Sequence, residues 1–242
     1  MKRFYDRAEF EAVDDGVAVT LDGKIVKTPA RRPLVLPNDL IAGAIAREWS
    51  AQGETIEPDS MPLMRLAATA IDRIADNREA VIDEIAAYGE TDLLCYRTAE
   101  PEDLNARQAE GWQPLLDWCA EYLGAELEVT EGVIAEPQDS AATEALRAAV
   151  ESHDGMSLAA LHTITTATGS LILALALSEG RIDAKTAWLL SRIDEMFQAE
   201  RWGLDQETLA KTERLRATLF ASARFLRLCN HGKITAEKGE GP

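Results

Sequence analysis

Apolar residues alternate with polar ones near the start of the chain and recur at helical spacing through the rest. Val17-Ala-Val-Thr-Leu21 reads as a strand, Asp22-Gly23 is the residue pair of a type I′ turn, and Ile25-Val26 begins the returning strand. Pro29 and Pro33 bound a loop, and Leu34-Val-Leu36 predicts another short strand. After Pro37 the period changes. Asn38 or Asp39 caps a helix to about Ala51, Pro62 opens one to about Ala75, and Asn77 opens a third that reaches Tyr96. The stretch from Pro101 to Leu123 is helical, with Pro114 predicting a break near Gly111 and Gly124 a stop. Leu127 to Val133 alternates like a strand. Four helices are expected beyond it, over about 140–152, 157–178, 184–201 and 205–229, with Gly180 and Gly203 as stops.

This pattern predicts an α+β fold. A small N-terminal β-rich unit, residues 1–60, would pack on a larger, mostly helical domain, residues 61–231. The boundary falls somewhere in 58–97, and the polar tail 232–242 is expected to be disordered. There is no internal repeat and no low-complexity linker.

One helical block stands out, Ala187 to Gly203. At about 100° per residue, Leu189, Leu190, Ile193, Met196 and Phe197 share an apolar face, with Glu200 near its middle. Trp188, Glu195 and Trp202, spaced by seven, form a second stripe on roughly the opposite side. A helix that is apolar on two sides, with a carboxylate in each stripe, is suited to being touched on both.

Composition narrows the function classes. The formal charge is −17, from 25 basic and 42 acidic residues. That balance opposes nucleic acid and anionic membrane, and favours solubility and a basic partner surface. Cys95, Cys119 and Cys229 are far apart and outside any metal or redox spacing, so buried reduced thiols are expected, with no metal site and no disulfide framework. From Ser157 to Ser178 there is no charged residue, a span long enough to cross a bilayer. His162, several threonines and Gly169 interrupt it, and only Leu171 to Leu177 is continuously apolar, so a buried core helix is the expectation.

Reaction chemistry is sparse. No phosphate-binding glycine loop, nucleophile elbow or zinc motif occurs, and His153, His162 and His231 lack partners at a telling spacing. No cofactor is implied. Arg65, Asp72 and Arg73 on the Pro62 helix would either grip a partner loop or tie that helix to the C-terminal helices. Asp92 is a candidate to receive an arginine from elsewhere in the fold. Glu195, between Trp188 and Trp202, is suited to take a partner's arginine, because aromatic rings exclude water around such a pair. Arg192, three residues earlier, is its internal competitor. Glu200, on the apolar face, would need an arginine such as Arg65, Arg73, Arg214 or Arg216. Both carboxylates therefore read either as client-binding groups or as halves of internal salt bridges.

Several blocks in order carry a family resemblance. They are Arg3-Phe-Tyr5, Leu21-Asp-Gly-Lys24 with Lys27-Thr-Pro29, Leu34-Val-Leu-Pro37, and Glu48-Trp49 with Gln52. Then come Met61 to Arg73, Thr91-Asp-Leu-Leu-Cys-Tyr-Arg97, Trp112 to Trp118, Thr168-Gly-Ser-Leu171 and the block from Ala187. Together they resemble the alpha-subunit-specific assembly chaperones of the F-type ATP synthase. What the resemblance implies is an ATP-independent chaperone, not an enzyme, that holds the free alpha subunit until the beta subunit displaces it. Its client-binding residues would be Glu195, Glu200, Trp188, Trp202 and Arg192. Mitochondrial members would need a presequence, and Met1-Lys-Arg-Phe-Tyr5 offers neither signal nor transit pattern, so a bacterial cytoplasmic form is expected. The lack of a heptad seam predicts a monomer. Two alternatives stay open: an adaptor or stability factor for another complex, and a metal-free enzyme using Asp194, Glu195 and Glu200.

Overall fold

The computed structural model describes residues 1–132, 136–203 and 205–237, with side chains to 230. Contacts divide the chain into two compact units. The first comprises Met1–Arg78, Asp154–Ala160 and the chain from Ala221 onward; the second comprises Glu79–His153 and Leu161–Phe220. The first division between the units, after Arg78, lies in the range 58–97, and two late segments, Asp154–Ala160 and the chain from Ala221 onward, join the first unit. Hydrophobic period reports local structure and carries no information about which unit a helix joins.

The first unit is built on four strands, β1 (Ala8–Val13), β2 (Gly16–Leu21), β3 (Lys24–Ile25) and β4 (Val35–Leu36). β2 pairs antiparallel with β1 along one edge and with β3 and β4 along the other. The β2–β3 turn is the expected one: Asp22 and Gly23 both have positive φ, 49° and 75°. Gly16 has φ 142°, and a Cβ there would stand 2.5 Å from the Leu36 carbonyl oxygen, so no other residue fits.

Helix α1 (Asp39–Ser50) is capped by Asn38, whose side chain accepts from the Leu40 and Ile41 amides. The same side chain donates to the carbonyls of Leu228 and Cys229 at 3.0 and 3.2 Å. Helix α2 (Pro62–Thr69) begins at the proline, and the Glu48 carboxylate of α1 accepts its Leu63 and Met64 amides, both at 2.9 Å. A π-helical turn, Ala70–Ile74, leads into α3 (Ala75–Ala86), which is kinked at Asn77 beside the division between the units. Asp72 does not reach a distant helix. It accepts from Thr28 Oγ1 (2.6 Å) and the Ala30 amide (3.0 Å), pinning the loop after β3. Arg65 pairs at the surface with Asp59.

The second unit contains the rest: β5 (Tyr96–Arg97), α4 (Glu102–Trp118), β6 (Thr130–Glu131), α5 (Ser140–Glu151) and α7 (Leu171–Ser178), then α8 (Ala184–Leu190) and α9 (Ile193–Trp202). α6 (Gly155–Thr168) and α10 (Gln206–Glu237) each contribute to both units. β5 and β6 pair in parallel.

Three helix boundaries differ from expectation. α4 runs through Pro114, because Pro114 and Glu110, whose carbonyl loses its donor, both face solvent while Trp112, Leu115 and Leu116 are buried. The predicted 157–178 helix is two helices, since Gly169 takes φ 73° and Ser170 caps α7 through the Leu173 amide. Among the described residues, no helix is long and apolar enough to cross a membrane. α10 continues to Glu237, where disorder from 232 was expected; 231–237 holds a single glycine, Gly232, and no proline. Residues 238–242 lie outside the described residues, as does Val133 at the end of the predicted strand.

Candidate functional site

The block from Ala184 to Trp202 is not one helix. After Leu190 the chain closes a tight turn: the Arg192 amide donates to the Leu189 carbonyl (3.2 Å) and Ser191 Oγ to the Trp188 carbonyl (2.9 Å). Arg192 has φ −123° and ψ 18°, outside the helical range, and α9 starts afresh at Ile193. The seven-residue stripe of Trp188, Glu195 and Trp202 is therefore broken. Trp188 is 9% exposed and packs with Ala167 and Leu219, whereas Trp202 at the end of α9 is 76% exposed.

Arg192 organises this corner. Its guanidinium lies over the Trp188 ring at 5.2 Å, donates to the Ala167 carbonyl at 2.5 Å and pairs with Glu195 at 2.6 Å. Its Nε is buried without a partner. Three of the five sequence-predicted residues thus meet in one cluster: Trp188, Arg192 and Glu195. The Glu195 side chain is 54% exposed, so its carboxylate is held on one side by Arg192 and open to solvent on the other.

Glu200 is not on a buried face. Its side chain is 52% exposed and takes both oxygens to Arg107 Nη1 of α4, at 2.9 and 3.0 Å. None of the arginines proposed from sequence is its partner. The buried member of α9 is Phe197, whose ring lies below Arg107 (5.2 Å) and Arg201 (4.1 Å), and Arg201 in turn pairs with Asp103 at 2.9 Å. Asp194 accepts from Gln108 Nε2 at 2.7 Å. Asp194, Glu195 and Glu200 thus turn to three different partners and do not converge as a catalytic carboxylate set would.

α4 anchors α8 and α9 from the other side. Trp112 is buried and donates its indole N–H to the Leu190 carbonyl at 2.8 Å, satisfying the end of α8. Gly111 allows the close approach, since a Cβ there would meet Ile193 Cδ1 and Leu190 Cδ2 at 2.9 Å. The Arg97 guanidinium lies over the Trp112 ring at 5.0 Å, and neither of its terminal nitrogens has a hydrogen-bond partner.

Behind this layer, Asp92 is fully buried and receives no arginine. Its oxygens accept the Leu94 and Ile172 amides at 3.0 and 3.1 Å, joining a 3₁₀ turn to the start of α7. Burial pushes its carboxyl from 3.8 up to about 6 despite these donors. Cys95 and Cys119 are buried and free, and burial pushes both thiols up to about 12, where they are inert at neutral pH. His153 is satisfied by the Ala149 carbonyl and Ser178 Oγ, and His162 pairs with Glu84. Among the described residues, no group of three His, Cys, Asp or Glu side chains is placed to hold a metal ion.

Leu189, Met196 and Trp202 are exposed along α8 and α9, and Leu209 is exposed near the start of α10. A family model described as ATP12 chaperone protein matches residues 2–120. The crystal structure of Atp12 from Paracoccus denitrificans matches with a TM-score of 0.91 at 48% identity, over 94% of this chain and 98% of that one. The chain belongs to the ATP12 chaperone family. The crystal structure of the Atu1473 protein from Agrobacterium tumefaciens matches with a TM-score of 0.89 at 41% identity, over 93% and 85% of the two chains. The mitochondrial protein atp12 of Schizosaccharomyces pombe is 26% identical over 235 residues, 92% of this chain and 81% of that protein. The family is one of chaperones and not of enzymes.

Sequence reasoning missed Arg97, Arg107 and Asp103 as members of this region. Arg97 and Trp112 did lie in the quoted family blocks. Arg107 and Asp103 sit 93 and 98 residues from their partners in sequence, and no local spacing reports that pairing.

Proposed function

We propose that this protein is an ATP-independent assembly chaperone that binds the free alpha subunit of the F-type ATP synthase head in the bacterial cytoplasm, and that the beta subunit displaces it. A free alpha subunit exposes area meant for its neighbour, and an exposed apolar patch of that size aggregates. The observation that carries the reading is that α8 and α9 leave Leu189, Met196 and Trp202 exposed on the same two helices that carry the half-exposed Glu195. The apolar side chains supply contact area. The solvent-facing side of the Glu195 carboxylate is free to take an arginine of the client, in competition with Arg192, which Trp188 backs. Glu200 and Arg107 form a polar rim that keeps the contact moderate, as an exchangeable holder requires.

The test is co-expression with the alpha subunit of the same organism. Soluble alpha subunit should co-purify with this chain and leave it when beta subunit is added. Alpha subunit that stays insoluble, with unrelated proteins retained instead, would favour an adaptor for another complex.

A further inference from the structure

The outer edge of the N-terminal sheet is open. β1 pairs with β2 along its inner side, in unbroken register from Ala8 opposite Leu21 to Val13 opposite Gly16, and no described strand lies beyond it. Glu9, Phe10, Glu11 and Ala12 are exposed. A groove of about 490 Å³ runs beside the strand, lined by Glu9, Phe10, Glu11, Gly43, Ala46 and Arg47. α1 forms the other wall, and Gly43 lets it approach β1 closely, since a Cβ there would meet the Phe10 ring at 3.2 Å. Sheet margins are often blunted by proline, lysine or a bulge; Ala8–Val13 carries neither proline nor lysine, and its register with β2 has no bulge. Its two exposed glutamates blunt it against a like-charged strand and leave it open to a basic one.

The register specifies the complementary chain. Glu9 and Glu11 lie opposite Thr20 and Ala18 and share one face, while Phe10 lies opposite Val19 on the other. A second copy pairing antiparallel about Phe10 would set Glu9 against Glu11 twice, and like charges directly opposite are disfavoured. An extended segment with basic residues at two alternate positions meets both glutamates with opposite charge. Its intervening apolar side chain falls on the Phe10 side. The chain's charge of −17 adds attraction for such a segment at long range.

We propose that β1 and its groove form a docking edge for an extended basic–apolar–basic segment of a partner polypeptide, which adds as a strand alongside Ala8–Val13. The site lies wholly in the first unit and does not depend on which client the α8–α9 corner holds.

The test uses the full chain and a short synthetic peptide alternating lysine and valine, read by fluorescence anisotropy and by exchange of the β1 amide protons. Binding should protect amides of residues 8–13. Glu9→Lys with Glu11→Lys should weaken binding about tenfold, from two cross-strand pairs turned repulsive. Glu126→Lys with Glu128→Lys makes the same charge change at exposed sites elsewhere and should leave binding unchanged. Methylating alternate peptide nitrogens, which removes the strand-forming donors, should abolish it. Equal weakening in both charge-reversed variants, binding that survives N-methylation, absence of β1 protection, or a dimer that protects β1 without peptide would each overturn the proposal.

Discussion

Replacing Arg192 with methionine removes the charge at the α8–α9 corner while keeping most of the stem over Trp188. Three interactions go. The charge-assisted hydrogen bond to the Ala167 carbonyl, at 2.5 Å and partly buried, contributes about 1.5–3 kcal/mol. The guanidinium on the Trp188 ring contributes about 1 kcal/mol, and the ion pair to a half-exposed Glu195 at most about 1 kcal/mol. Against these stands relief of the unpartnered Nε, so the net cost should be about 3 kcal/mol. Urea unfolding followed by circular dichroism reads this as a lowered midpoint with an unchanged slope. Because Glu195 loses its internal competitor, the variant below its midpoint should hold the client at least as well as the parent. A loss of stability under about 0.5 kcal/mol would refute Arg192 as the brace of this corner. A folded variant that loses the client would refute Glu195 as the group the client meets.

Other expectations follow from the same geometry. Asp92 titrates near 6 in the folded protein and 3.8 when unfolded, so the folded state binds its proton more tightly. Its contribution is full below 3.8 and is lost as pH rises through 6; between pH 7 and pH 5 it should stabilise the parent by about 1 kcal/mol relative to Asp92→Asn, and parallel stability profiles would contradict this. Phe197→Ala should cost about 3–5 kcal/mol, while Glu200→Gln, breaking an exposed pair, should cost under about 1 kcal/mol; comparable losses in denaturant melts would place Glu200 in the core after all. The purified chain should run as a monomer on a sizing column at micromolar concentration, and a stable dimer would refute that.

Local rules made parts of this fold legible. Asp22-Gly23 specified its turn through two positive φ angles, and Asn38 and Pro62 marked helix starts because caps and fixed φ act within a few residues. β1 escaped notice because Ala8-Glu-Phe-Glu-Ala-Val13 alternates with one bulky apolar residue in its middle, too little to read as a buried face. Pro114 misled because the penalty of an interior proline depends on where the freed carbonyl points, which sequence does not state. The α8–α9 block was legible as helical, but its geometry was not. With no glycine or proline between Ala184 and Trp202, the break at Ser191–Arg192 left only one local hint, a serine able to bond back to its own helix. Once the helix breaks there, heptad spacing no longer sets a common face, and Trp188 goes inside while Trp202 goes out. The partners of Glu200, Arg201 and Asp194 all come from α4, a tertiary choice that periodicity cannot carry.

The most direct test of the account is retention of the alpha subunit by Glu195→Lys in the co-expression assay, with Glu126→Lys as the control of equal charge. Reversal at Glu195 sets a lysine beside Arg192 where the client's arginine should sit, at an exposed position whose fold contribution is small. The account predicts a folded protein that no longer retains alpha subunit, with the Glu126→Lys control retaining it as the parent does. Undiminished retention by a correctly folded Glu195→Lys would contradict the assignment of the α8–α9 corner as the client site.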